Sequence, residues 1–170
     1  MELNLYLIIV SDRVSSGQKQ DKTRDRVEGW CKQNPIILIK TEIIPDEKIR
    51  IGQCLKAAIN NKECHLIITS GGTGLSAQDI TPEATLPFLE KLTPGIDEYL
   101  RREGTKDTPF SILSRGISGV AKNKIIINLP GNPDAVISAL NILKDILPHA
   151  LKTIEGTVKD TEHKFRRDHS

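Results

Sequence analysis

The sequence predicts an α/β domain of three layers, a mostly parallel sheet covered by helices on both faces. Three observations carry that reading. Four short runs rich in β-branched residues recur, at residues 5–10, 36–39, 66–69 and 125–129. Each is almost continuously apolar, the pattern of strands buried on both faces of a parallel sheet. Segments with helical spacing lie between them, so the order β-α-β-α-β, several short helices, then β-α implies right-handed crossovers.

The first run is far shorter than the ~20 residues of a membrane span, and Glu2 precedes it where a signal peptide carries positive charge. A soluble, cytoplasmic protein is expected, with no membrane partner. Residues 21–33 read as a helix with Val27 and Trp30 on one face. After the second run, Ile51, Leu55, Ala58 and Ile59 fall at i, i+4, i+7 and i+8, the inward stripe of a second helix. Thr81 followed by Pro82 fits an N-cap with proline at the first helical position. Beyond the fourth run, Val136, Ala139, Leu140, Leu143 and Leu147 repeat the helical pattern after Pro133. At roughly 150 residues per domain, the 170-residue chain is read as one domain over residues 1–156 with a polar tail over 157–170.

The chain carries 24 basic and 22 acidic side chains, a net +2, interspersed rather than segregated, so no footprint for nucleic acid stands out. Cys31, Cys54 and Cys64 show no C-x-x-C spacing and the four histidines no i, i+4 pairing. A disulfide framework and a thiolate or histidine metal site are therefore not expected.

Ligands of open parallel sheets bind at the carboxyl ends of the strands. The third run ends there in Ser70-Gly71-Gly72-Thr73-Gly74, continues through Asp79 and reaches Thr81. The glycines permit a sharp turn and close approach of backbone N–H groups to an anion, and Ser70 and Thr73 add hydroxyls. A carboxylate such as Asp79 beside a phosphate cradle calls for a metal between them. The P-loop pattern is absent. Gly72 to Ala77 fits a G-x-G-x-x-[GA] template for dinucleotides, but the second strand ending in an acidic residue that this template requires does not follow. After the fourth run, Pro130-Gly131-Asn132 is a second glycine turn opening a helix, so a polyanionic ligand is expected. Ser11 and Asp12 follow the first run, Asp46 the second, and Ser114-Arg115 a short apolar segment, which puts a guanidinium within reach of phosphate. Asp46 also fits a helix start.

Ser11-Asp12-Arg13, Pro45-Asp46-Glu47, residues 69–74, residues 79–85, Pro94-Gly95, Glu98, Arg101, Leu113-Ser114-Arg115 and Leu129-Pro130-Gly131 occur in an order that resembles the molybdopterin-binding proteins. The chain is most similar to the adenylyltransferase (MogA) branch of the MogA/MoaB family. That resemblance covers nearly the whole length and implies the molybdopterin-binding fold and adenylyl transfer from ATP to molybdopterin. It further implies Mg²⁺ held by Asp46 and Asp79, a homotrimer and a molybdenum insertase as partner. It assigns catalysis to Asp46 and Asp79. Substrate contacts fall to Ser11, Asp12, Ser70, Gly71, Gly72, Thr73, Gly74, Thr81, Glu98, Ser114, Arg115, Pro130, Gly131 and Asn132, with Ser114 and Arg115 on the pterin phosphate. A MoaB-type protein that binds the pterin without adenylylating it is the alternative. Two positions depart from the family pattern: Gln78 stands where arginine is frequent, and Lys22-Thr23-Arg24 follows Asp21 in place of a small Ser-Gly-Pro stretch. Arg24 or Arg26 is the expected compensation.

Overall fold

In the computed structural model, which describes residues 2–157, the four apolar runs become β1 (Leu3–Val10), β2 (Ile36–Ile44), β3 (Leu66–Ser70) and β6 (Lys124–Leu129). They pair in parallel in the order β2-β1-β3-β6. Two strands that the sequence reading did not anticipate complete the six-stranded sheet. These are β5 (Ser118–Ala121), antiparallel to β6, and β4 (Lys91–Leu92), antiparallel to β5.

The helices divide between the two faces as expected. One face is the cluster of Leu3, Leu5, Leu7, Leu66, Ile68 and Ile127 against α2 (Thr23–Cys31), α6 (Pro133–Leu143) and α7 (Leu147–Ile154). Leu100 of α5 (Pro94–Gly104) packs on the same cluster. The opposite face sets Tyr6, Ile8, Ile67 and Ile126 against α3 (Lys48–Asn60) and α4 (Thr81–Thr85). Alternate residues of one strand thus enter different cores, because successive side chains point to opposite faces. The Trp30 indole donates to Asn141 Oδ1 at 2.8 Å, which joins α2 to α6 and satisfies its one donor. Cys31, Cys54 and Cys64 are buried and unpaired.

Three expectations need correction. β2 is an edge strand, so Ile37 is exposed instead of buried. The pattern after Pro133 is two helices, because a turn follows Leu143 and Pro148 opens α7, where a continuing helix would need its N–H. Thr81 is the first residue of α4 rather than a side-chain cap, and its buried hydroxyl has no hydrogen-bond partner among the described residues. The expected polar tail, save Thr157, lies outside the described residues.

The chain leaves β1 toward β2 on one side and reaches β3 on the other. The carboxyl ends of β1 and β3 therefore flank the point where the strand order reverses, the place where open α/β sheets form a ligand crevice.

Candidate functional site

A cleft of about 1630 Å³ opens at that reversal, floored by Ile9 to Ser11 at the end of β1, Ser70 to Gly74 at the end of β3 and Leu129 to Pro133 at the end of β6. Its shape follows from glycine. Gly71 has φ +112 and a Cβ there would stand 2.1 Å from the Val10 carbonyl oxygen. Gly72 has φ +64, and a Cβ there would meet Thr81 Oγ1 at 2.3 Å and Asp46 Oδ1 at 3.2 Å. Side chains are excluded at both positions, so the backbone itself forms the floor. Ser70, almost fully buried, donates to the Pro130 carbonyl at 3.1 Å and ties the β3 and β6 loops together.

The two predicted carboxylates border the same glycine loop: a Cβ at Gly72 would meet Asp46 Oδ1 at 3.2 Å and one at Gly74 would meet Asp79 Oδ2 at 2.8 Å. Asp46 is locked to the β1 loop by a reciprocal pair: Asp12 N–H donates to Asp46 Oδ2 and Asp46 N–H to Asp12 Oδ1, both at 2.9 Å. Its carboxylate therefore serves the first turn of α1 (Asp12–Ser15) rather than capping α3. Burial pushes the Asp46 pKa above the ordinary carboxylate range, the Asp12 N–H opposes it, and the charges of Asp12 and Asp79 add to the rise. Burial also acts to raise Asp79, but the Ser76 hydroxyl and N–H, at 2.7 and 2.9 Å, and the Arg115 charge outweigh it and leave the value lowered. Asp79 thus stays ionised where Asp46 is pressed by like charge.

Twelve of the predicted site residues line the cleft: Ser11, Asp46, Ser70, Gly71, Gly72, Thr73, Gly74, Asp79, Ser114, Pro130, Gly131 and Asn132. Four do not. Asp12 stands behind Asp46, and Thr81 lies buried under Gly72, its N–H donating to the Gly72 carbonyl at 3.0 Å. Arg115 grips the glycine loop, its Nε donating to the Gly74 carbonyl at 2.7 Å and its Nη groups engaging the Asp79 carbonyl and the Glu83 carboxylate. Glu98 lies apart, in a small depression with Gly95, Tyr99 and Arg102. The helical repeat explains it: Asp97, Leu100, Arg101 and Gly104 share the cleft face of α5. Asn132 lines the cleft, but its side chain also caps α6 by accepting from Asp134 N–H at 2.9 Å. Of the arginines expected to compensate in the first loop, Arg26 pairs with Asp134 at 2.6 Å and neither it nor Arg24 lines the cleft, whereas Lys22 and Thr23 do.

Sequence reasoning did not single out Asn128, Asp97 or the apolar wall. Asn128 Nδ2 donates to Thr69 Oγ1 at 2.9 Å and Thr85 Oγ1 at 3.0 Å, a buried polar bridge beneath the floor. An asparagine inside an apolar strand is the signal that marks it. Asp97, buried, accepts from Ser118 N–H at 3.1 Å. Leu75, Phe110 and Leu113 expose apolar surface along the cleft, for which spacing gave no sign.

Six aspartates and four basic side chains line the cleft, so it does not offset a polyanion by itself. Among the described residues no three metal-ligating side chains cluster. That donor set still fits Mg²⁺, which is held by one or two carboxylates together with substrate phosphates and keeps several waters. The like-charge pressure of Asp79 on Asp46 is what a cation would relieve.

Fold and rim define a protein with a ligand cleft at the carboxyl edge of a doubly wound sheet. The profile of the family described as probable molybdopterin binding domain matches residues 6–149, and the chain belongs to that family. A Haemophilus influenzae protein named molybdopterin adenylyltransferase is 35% identical over 174 residues, covering 94% of this chain and 88% of the relative. The Escherichia coli K12 protein of the same name is 34% identical, covering 94% and 89%. A Thermus thermophilus structure described as the molybdopterin biosynthesis enzyme MoaB superposes with a TM-score of 0.84 at 36% identity, covering 91% of this chain and 97% of that one. The Mog protein of Mycobacterium ulcerans gives 0.82 at 38% identity, covering 89% and 99%. Both branches share the backbone, so the fold by itself does not choose between them.

Proposed function

We propose that the chain transfers the adenylyl group of ATP to the terminal phosphate of molybdopterin in molybdenum cofactor biosynthesis, releasing pyrophosphate. The observation that carries this reading is that Asp46 and Asp79 both stand against the glycine loop of the cleft floor, Asp46 Oδ1 beside Gly72 and Asp79 Oδ2 beside Gly74. A module that only held a dianionic phosphate would be better served by neutral or basic groups. Full-length similarity to proteins named molybdopterin adenylyltransferase supports the same activity.

In this reaction an oxygen of the molybdopterin phosphate attacks the α-phosphorus, a new P–O bond forms, the α–β bridge breaks and pyrophosphate leaves. Such chemistry rests on positioning and charge neutralisation more than on covalent help from the protein. Asp46 and Asp79 would hold Mg²⁺, whose positive charge lowers the repulsion between two anionic reactants. The N–H groups of Gly72 and Thr73 orient phosphate oxygens, and those of Gly131, Asn132 and Ala135 offer a second set of donors, whereas Gly71 N–H is taken by the Leu129 carbonyl and Asp134 N–H by Asn132. Leu75, Phe110 and Leu113 give a ring system an apolar wall that excludes water. The reading treats residues 1–156 as the working unit, a cytoplasmic homotrimer that passes its product to a molybdenum insertase.

Pyrophosphate release from ATP and Mg²⁺, with molybdopterin added or withheld, tests the proposal. Release should require molybdopterin and fall by about 10²-fold or more in Asp79→Asn, the scale of losing one preorganised charge contact. Tight molybdopterin binding without release would make the chain a binding protein of the MoaB type.

A further inference from the structure

The segment that carries Asp79 is held from outside the cleft by a single side chain. Arg115 Nε donates to the Gly74 carbonyl, one Nη to the Asp79 carbonyl, and the other Nη pairs with Glu83. The Arg115 N–H also donates to the Thr73 carbonyl at 2.9 Å. The guanidinium therefore spans residues 74–79 at both ends, and each of its three nitrogens has a protein partner. Glu83 reaches it from the first turn of α4, which is anchored under the floor by the bond from Thr81 N–H to Gly72. Neither Arg115 nor Glu83 lines the cleft.

We propose that Arg115 and Glu83 form a positioning pair that fixes residues 74–79 and so sets where the Asp79 carboxylate stands, with Arg115 acting on the loop instead of on substrate phosphate. The fork geometry is specific to arginine: lysine offers one nitrogen and cannot span two carbonyls and a carboxylate. The Glu83 and Arg115 side chains are 48% and 34% exposed, so their ion pair contributes little to overall stability, and its effect is local. Misplacement of a reacting group by about 1 Å lowers turnover by up to about 10²-fold.

The inference deepens the adenylyl-transfer reading and rests on it for the kinetic measurement alone. The test uses Glu83→Ala, Glu83→Gln and Arg115→Lys in the full chain. Amide hydrogen exchange of residues 74–79 in the ligand-free protein should quicken by roughly tenfold in Glu83→Ala and Arg115→Lys, as the segment opens locally. Glu83→Gln, whose amide oxygen still accepts from Nη, should stay near wild type. In turnover, Glu83→Ala should lower kcat by about 10-fold or more while KM for molybdopterin stays within about twofold. Unchanged exchange in both Glu83→Ala and Arg115→Lys overturns the proposal. A raised KM for molybdopterin with unchanged exchange overturns it too, and makes Arg115 a phosphate ligand. If Arg115→Lys unfolds, Glu83→Ala decides by itself. If the wild-type chain shows no adenylyl transfer, the exchange result still decides whether the pair holds the loop.

Discussion

Asp46 carries a conflict that its substitution should expose. Burial and the charges of Asp12 and Asp79 raise its pKa in the folded chain. A carboxyl with a raised folded pKa disfavours the folded state at pH values above that pKa, and the penalty fades as pH falls through it. Asp46→Asn should therefore melt at a higher temperature than wild type at pH 7, with the difference shrinking under acid, while turnover drops by about 10²-fold or more. Calorimetry across pH with parallel activity measurements checks both halves. Carbon-13 titration of Asp46 in Asp79→Asn should also show its pKa moving down, since one like charge is gone; an unmoved value would show that the two carboxylates do not interact. At this scale the site was partly legible. Asp46 and the glycine loop stood out because each follows a strand end directly, and Asp79 because it lies on that same loop just before α4. Arg115 was legible as a functional cation, whereas its partners were not, because Gly74, Asp79 and Glu83 lie 41, 36 and 32 residues away in sequence. Glu98 was misplaced because a motif read linearly does not say which helix face a residue takes.

Two polar devices tie the elements together. Asn128 on β6 bridges Thr69 on β3 and Thr85 at the end of α4, and Thr85 in turn donates to the Thr81 carbonyl at 2.8 Å. Removing a partner from a buried network leaves the remaining groups without hydrogen bonds, so Asn128→Ala should destabilise the chain by about 2–4 kcal/mol in urea unfolding. The second device strengthens the β2 edge. Glu42 accepts from Cys54 Sγ at 3.0 Å and from Tyr6 Oη, and pairs with Lys40 at 2.7 Å. Burial acts to raise the Glu42 pKa, but the bonds from Lys40, Tyr6 and Cys54 hold it at about 2, while the Tyr6 hydroxyl is pushed up to about 12. A lowered carboxylate contributes stability that is present above its ordinary value of 4.5 and lost as pH falls toward about 2. Glu42→Gln should be less stable than wild type by roughly 1–3 kcal/mol at neutral pH. The gap should close between pH 4.5 and 2 in acid titrations followed by circular dichroism. The parallel strands and covering helices were readable because apolar runs and 3.6-residue spacing are strong signals. β4 and β5 were not. One has two residues, and the other contains Gly119 and returns through Lys122-Asn123, both at positive φ, a turn without the usual Asn-Gly mark. Edge position also left no trace, since β2 is as apolar at its start as the central strands.

Across the whole molecule, three loops from strands distant in sequence converge because the strand order reverses between β1 and β3. The cleft they enclose holds more acidic than basic side chains, so anionic substrates should bind only together with a divalent cation. ATP binding followed by calorimetry should weaken by about 10-fold or more when Mg²⁺ is chelated, and binding indifferent to chelation would exclude the two aspartates as its holders. The family assignment rests on agreement over nearly the full chain in both sequence and backbone. Adenylyl transfer itself is tested most directly by following the α-phosphate. With ATP labelled at that position, Mg²⁺ and molybdopterin, the wild-type chain should move one label into the pterin product for each pyrophosphate released. Label that stays in ATP or appears as free AMP, while molybdopterin is bound, would contradict the account.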